Sequence, residues 1–452
     1  MANSSRRDKR AVHYLSRRSA AKRAGACAVA FAALTSGVAV RADDGCIARS
    51  AIPPSIKAEI RARRGDPTKY VYQEFPGPSG NETAWLVGWA HEPHAAIFIT
   101  GAYFRPGKNK KFIKVLGPRS GLIEIYVPYA ATKPGDGRRE RYWDMRDYGY
   151  VINGISEAEK GMCGYLLDSK TGLQVRDRDL VWKARDHGLR GHEMVLWGSQ
   201  NAGNYDYLVH YNFLDDGRIQ FRLAATAQNL PGHEHMMHTH TGVWRLNIDL
   251  NGDGHPNSQT DKNDRARVLT YVERSGNVEP KATLKSAQIN GGKEGAVDWN
   301  PQSFTTIAVR DKTLKNARGT PTEYWLASAY RGVVRHDAFP EEAIFAHDFW
   351  VTRNKGDDEF YPQAMAEYAN GENIENADVV VWAQSPILHI HRNEDGSCGA
   401  PTTQYGCPAM WSGIALAMHS PALELIPRNI FDTTPFYPLP DDQISLKLPP
   451  EE

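Results

Sequence analysis

The sequence predicts a mainly β protein, with one large antiparallel domain built as a sandwich of two sheets. Three observations carry this reading. From Ala84 onward the chain is dominated by short runs of β-branched and aromatic residues of strand length. Examples are Trp85-Leu86-Val87-Gly88-Trp89, Ala96-Ile97-Phe98-Ile99-Thr100, Leu122-Ile123-Glu124-Ile125-Tyr126-Val127, Tyr207-Leu208-Val209-His210-Tyr211 and Arg218-Ile219-Gln220-Phe221-Arg222. Turn signals such as Asp215-Asp216-Gly217 and Asn290-Gly291-Gly292 separate them, and stretches of helical period are scarce, 359–368 being the best. A chain of 452 residues with 41% apolar and 24% charged residues can bury a substantial core. Its 11 Trp, 20 Tyr and 14 Phe exclude a disordered chain. A mean hydropathy of −0.53 argues against a multi-span membrane protein.

In chain order, residues 1–42 come first, with nine basic residues and a single acid, Asp8. The basic stretch runs into a mildly apolar segment, 24–40, and ends at Val40-Arg41-Ala42, a small-residue cleavage site. The three parts read as a secretory signal peptide, and Ser16-Arg17-Arg18-Ser19 resembles the twin-arginine export motif of bacteria. The competing reading is a basic cytosolic tail. Export to the periplasm or beyond is the expectation. Residues 43–83 read as a lead-in arm, 84–440 as the β domain, and 441–452 as a tail. Of five cysteines, Cys27 leaves with the signal, and an even set remains: Cys46, Cys163, Cys398 and Cys407. Cys398 and Cys407 flank a loop that a short disulfide could close, and Cys46–Cys163 would then pin the mature N-terminus to the domain. No CxxC pair exists, which argues against a zinc-thiolate site.

The charge balance of 54 basic against 53 acidic residues favours neither nucleic acid nor another charged partner. Without residues 1–42 it becomes 45 against 52, a formal −7, mildly favourable for small cations.

Among 16 histidines, His233, His235, His238 and His240 fall within eight residues. Residues i and i+2 of a strand share a face, so either His-x-His pair can aim two imidazoles at one metal. Imidazole suits copper, zinc and nickel alike. With Met236 and Met237 between the pairs, a copper-scavenging loop is a competing reading. The run 249–254 matches the first half of an EF-hand loop, but Thr260 stands where a bidentate Glu is required, and an EF-hand is rejected.

Gly203-Asn204-Tyr205-Asp206-Tyr207 resembles the cofactor motif of the copper amine oxidases, in which the Tyr after Asn becomes topaquinone. Other segments agree in the right order. Val127-Pro128-Tyr129 precedes Tyr142-Trp143-Asp144-Met145-Arg146-Asp147, similar to the family's segment with the catalytic Asp. His238-Thr239-His240 stands five residues before Arg245-Leu246-Asn247-Ile248-Asp249. Asn376-Ala377-Asp378-Val379 leads on to His389, and Pro427-Arg428-Asn429-Ile430-Phe431-Asp432 resembles the C-terminal signature. The resemblance spans roughly 84–440 and implies the large antiparallel β-sandwich of that family's catalytic domain.

It also implies the chemistry. Copper would be held by His238, His240 and His389, since only the 238/240 pair stands at the family's distance from Arg245. Tyr205 would be oxidised in place to topaquinone, with Asn204 orienting it and Tyr129 hydrogen-bonding it. A primary amine would add to the quinone carbonyl, and Asp144 would take the α-proton as general base, with Asp147 the local rival. An aldehyde, ammonia and hydrogen peroxide would leave, with dioxygen as the oxidant. A calcium-type site is implied at Asp249, Asp378 and the carbonyls of Ile248 and Val379. Asn247 takes the place of its first carboxylate there, which removes a charge. A homodimer is implied as well. Four departures stand out: Asn201 for a Ser/Thr, Arg146 for a Gly, a spacing of only 33 residues from Tyr205 to His238, and the lack of the usual small N-terminal domains. Two alternatives stand beside the amine oxidase: a catalytically silent periplasmic copper-binding protein of the same fold, and a peptide-lysyl oxidase with the same cofactor.

Overall fold

The computed structural model describes residues 46–76, 82–92, 96–128, 141–147, 151–184, 187–203, 205–228, 237–250, 266–274, 283–298, 304–328, 340–356, 362–390, 414–419 and 423–432. Its architecture is mainly antiparallel β in two large sheets, as the sequence predicts. One sheet has ten strands and the other twelve.

The ten-stranded sheet opens with Tyr70–Glu74, inside the lead-in segment, which pairs with Ala84–Glu92; Ala96–Arg105 and Ile113–Leu116 follow. At its centre lie His238–Ile248 and Val379–His389, paired along their whole length, with Gly121–Pro128 on the other side of the former. The twelve-stranded sheet carries the meander Thr171–Ala184, His187–Ala202, Tyr205–Leu214 and Ile219–Gln228, and beyond it Leu423–Arg428 and Pro321–Ser328.

Packing follows from the alternation of side chains along each strand. In Tyr205–Leu214 every second residue, Tyr205, Tyr207, Val209, Tyr211 and Phe213, is buried, and these meet Trp85, Trp244 and Leu122 in one hydrophobic core. His238–Ile248 is buried at every position. A second apolar cluster explains this, in which Tyr126, Val243, Val380 and Trp382 meet Ile344, Phe345 and Met365. The latter three come from a 3-10 segment, Pro340–Ala346, and a short helix, Met365–Tyr368. The helical period at 359–368 thus yields a single turn, preceded by the 3-10 turn Pro362–Ala364. A nine-residue helix, Pro54–Ala62, which the sequence reading passed over, starts on proline and carries Ile60 into a small cluster with Tyr70 and Leu86.

Cys46 and Cys163 form a disulfide, beside a bridge pairing of Cys46 with Arg176. Cys398 and Cys407 lie outside the described residues. Among those residues no helix is long and apolar enough to cross a membrane.

Candidate active site and metal centre

The site lies between the two sheets, and three local features build it. The first is a tight hairpin. Ala202 pairs with Tyr205 across Gly203, whose φ of +76° suits the first position of a two-residue turn. Tyr205 is therefore the first residue of its strand, and the pleat points it inward with Tyr207. The second feature is the register of the central pair. His238 stands directly opposite His389, and His240 two residues along shares their face. Three imidazoles thereby project from one sheet toward the tyrosines of the other. The third is Arg141–Trp143, which pairs with Gly121–Pro128 and runs straight into the short helix Asp144–Asp147.

The three histidines are buried, and their nearest ring nitrogens all lie within 4.8 Å of one another. His238 Nε2 and His389 Nδ1 are 3.3 Å apart, and the Tyr205 hydroxyl is 3.3 Å from each. The Tyr205 ring lies edge-on to that of His240, with centroids 4.4 Å apart. Burial, reinforced by its two imidazole neighbours, pushes the pKa of His240 well below its ordinary value, which keeps it neutral as a ligand requires.

His240 Nδ1 lies 2.8 Å from the Tyr207 hydroxyl, and that hydroxyl donates to Asp144 Oδ2. A hydroxyl with its proton committed to a carboxylate receives from an imidazole rather than giving. His240 then carries its proton on Nδ1 and keeps a lone pair on Nε2. Nε2 is buried without a hydrogen-bond partner among the described residues. Three clustered, buried imidazoles fit copper(II), which favours imidazole nitrogen.

Asp144 is 4% exposed, and the segment that carries it is held by Glu124, whose Oε1 accepts the Met145 N–H at 2.8 Å. Sequence reasoning missed Glu124 and Tyr207. The signals were there: a lone carboxylate in the apolar run 122–127, and a tyrosine at i+2 from Tyr205, hence on the same face.

The remaining candidates are placed as follows. Tyr129 and Asn204 lie outside the described residues, as do His233 and His235. Arg146 is exposed. Asn201 sits opposite Asp206 and its Nδ2 donates to Asp206 Oδ1 at 3.1 Å, together with Asn153 Nδ2 at 2.8 Å. Asn247, Ile248, Asp249, Asp378 and Val379 gather at the far end of the central strand pair. There Asp249 Oδ2 accepts from the Lys114 ammonium, and Asp378 Oδ2 from Asn354 Nδ2 at 2.6 Å.

Residues 162–406, more than half of the chain, match the family model for the copper amine oxidase enzyme domain. The chain belongs to the copper amine oxidase family. The match includes Tyr205 and the three histidines and begins after Asp144. Among curated copper amine oxidases and their relatives, copper amine oxidase vicK1 of Bipolaris victoriae is 21% identical, over 64% of this chain and 47% of that one. Histamine oxidase of Arthrobacter globiformis is 23% identical, over 76% of this chain and 57% of that one. The chain thus spans about half the length of the curated relatives it matches. Among solved structures, a copper-containing benzylamine oxidase from Hansenula polymorpha superposes with a TM-score of 0.58 at 19% identity, covering 78% of this chain and 59% of that one. Lysyl oxidase of Pichia pastoris gives 0.57 at 14% identity, with 77% and 51% covered. These two likenesses concern the fold.

Proposed function

We propose that this copper amine oxidase relative is a primary-amine oxidase, converting RCH2NH2, dioxygen and water to RCHO, ammonia and hydrogen peroxide. Copper is held by His238, His240 and His389, and the organic cofactor is topaquinone made from Tyr205. The observation that carries the reading is the buried Tyr205 hydroxyl, at equal distance from two of three clustered imidazole nitrogens. A tyrosine placed there for packing alone would not bring its oxygen to the point where a metal belongs.

Copper supplies one-electron chemistry with dioxygen, which in-place oxidation of a phenol ring requires. The protein's own residues do the rest. The hairpin and core packing hold the Tyr205 ring between the sheets, with its oxygen against the histidines. Asp144 is the general base for the substrate's α-carbon: it is a buried carboxylate hydrogen-bonded to Tyr207, whose ring neighbours that of Tyr205, and a carboxylate can take that proton. Glu124 fixes the backbone behind Asp144, and Tyr207 holds its Oδ2. Burial keeps bulk water from competing for the proton. Asn204 and Tyr129 orient and hydrogen-bond the cofactor, on the strength of the motif they share with the family. Export, which the Cys46–Cys163 disulfide supports, and assembly as a homodimer complete the reading.

The mass of the Tyr205 peptide tests it. Copper and air should convert that peptide to one heavier by two oxygens less two hydrogens, with a quinone stain that Tyr205→Phe abolishes. The loaded protein should release peroxide with a primary amine. A copper-loaded protein with an unmodified Tyr205 and no peroxide from small amines or lysyl peptides would instead be a silent copper binder.

A further inference from the structure

The residues assigned to a hard cation by their motif are not equipped for one. Calcium takes about six to eight oxygen ligands, carboxylates prominent among them. Here Asn247 brings a neutral amide, whose Nδ2 lies 3.5 Å from the Pro118 carbonyl. Asp378 Oδ2 is taken by Asn354. Asp249 Oδ2 already holds a cation, the Lys114 ammonium, and the two side chains are 1% and 3% exposed. A lysine is almost never buried to this degree unless paired.

The backbone delivers that ammonium. Leu116, two residues after Lys114, pairs with Ile248, and the Val115 carbonyl accepts the Asp249 N–H at 3.0 Å. Gly117 N–H donates to the Asn247 carbonyl at 2.8 Å, so the strand with the lysine is stitched to Asp249 and to the two residues before it. A divalent ion at the same carboxylate would meet a like charge within hydrogen-bonding distance.

We propose that Lys114 is a built-in counter-ion standing where a divalent cation would otherwise bind, so that this chain secures the end of its central strand pair without calcium. The inference is independent of the oxidase reading. It concerns stability at the far end of the strands that carry the histidines.

Asn247 Oδ1 and Asp249 Oδ1 are buried without a hydrogen-bond partner among the described residues. They are the acceptors a cation could use once the ammonium is removed, and that makes the idea testable. The full chain is purified in calcium-free buffer, its calcium and copper are counted by elemental analysis, and thermal unfolding is followed with and without millimolar calcium chloride. The wild-type protein should carry no stoichiometric calcium, and its midpoint should not move with the salt. Lys114→Met should unfold about 5 °C lower and recover part of that loss with calcium, because a buried carboxylate has lost its counter-charge. Bound calcium in the wild type, or a wild-type midpoint that rises with calcium, overturns the proposal. So does a Lys114→Met protein with an unchanged midpoint, or one indifferent to calcium. Should Lys114→Met fail to fold, Lys114→Met/Asp249→Asn removes both charges; its recovery of folding without calcium supports the pairing, and its failure sinks it. The copper count, read on the same samples, reports separately on the histidine cluster.

Discussion

The Tyr207 hydroxyl joins the candidate base to a candidate ligand, and Tyr207→Phe removes it while leaving the ring in the core. Two interactions are lost: a bond donated to a buried carboxylate and one received from His240 Nδ1. A hydrogen bond to a charged group contributes about 1.5–3 kcal/mol and a neutral one about 0.5–1.5 kcal/mol. The copper-free variant should therefore be less stable by about 2–4.5 kcal/mol, measured as a shift of the urea midpoint at unchanged slope. Copper binding should suffer separately. Without an acceptor at Nδ1, His240 has no reason to keep its proton there, and losing such a partner typically costs about 10–100-fold in metal affinity. Competition against a chromophoric copper chelator at fixed pH reads this directly. Tyr211→Phe is the control. Its hydroxyl is equally buried but donates to the Ile97 carbonyl at 2.7 Å and accepts from the Leu122 N–H at 3.3 Å, away from the histidines. It should cost about 1–3 kcal/mol of stability and leave copper affinity alone. If Tyr207→Phe binds copper as tightly as wild type, the tautomer argument is wrong. If both variants weaken copper equally, the effect is general loosening of the core.

Other outcomes follow from the same structure. Replacing Cys46 and Cys163 by Ser opens a bridge spanning 117 residues, and the chain-entropy model puts the loss at about 4–5 kcal/mol; an unchanged denaturation midpoint under oxidising conditions would contradict it. Glu74 accepts from the Tyr72 hydroxyl and from Arg105, which hold its pKa below the ordinary value. A lowered folded pKa means stability that is present above the unfolded pKa and lost as pH falls through the folded one. Glu74→Gln should therefore cost a little stability at neutral pH, little because the pair is partly exposed, and the difference from wild type should fade as pH falls below about 4.5, which flattens the acid limb. Gly203→Val puts a β-branched residue at φ +76°. It should cost on the order of 1–3 kcal/mol and lower the yield of modified Tyr205, read by peptide mass; normal yield would show that the hairpin does not set the tyrosine.

Much of this was legible because strand geometry is periodic. The alternation in 205–214 and the His-x-His spacing both translate directly into faces, so Tyr205 on one inner face and His238 and His240 on another can be read from order alone. His389 is different. Its place opposite His238 is a fact of pairing register between segments some 150 residues apart, and no local pattern encodes it; the motif before it did. Glu124 and Lys114 were obscured for a related reason. A single charge inside an apolar run reads as the solvent side of a half-buried strand, yet both lie on faces covered by other elements. Burial on the second face comes from Pro340–Ala346 and Met365–Tyr368 for the central strands, segments with no strong periodic signal of their own.

The departures from the family pattern bear on function only where they touch the network of hydroxyl and imidazole groups, and two of them can be traced. Arg146 lies within the one-turn helix Asp144–Asp147 and is exposed, so the position tolerates bulk and charge while Asp144, two residues earlier, stays buried. Asn201 keeps a polar group beside the turn, and its amide, with that of Asn153, holds Asp206 on the outer face of the hairpin. Tyr205 and Tyr207 point the other way. The pleat thus separates a surface that has changed from an inner face that retains the phenols, imidazoles and carboxylate. Asn247 belongs to a different region, at the opposite end of the same strand as His238. There the change coincides with a lysine that balances Asp249. A strand fixed at one end by an internal ion pair and presenting two imidazoles at the other needs a metal at one end only, which is why copper and calcium dependence should separate cleanly in this chain.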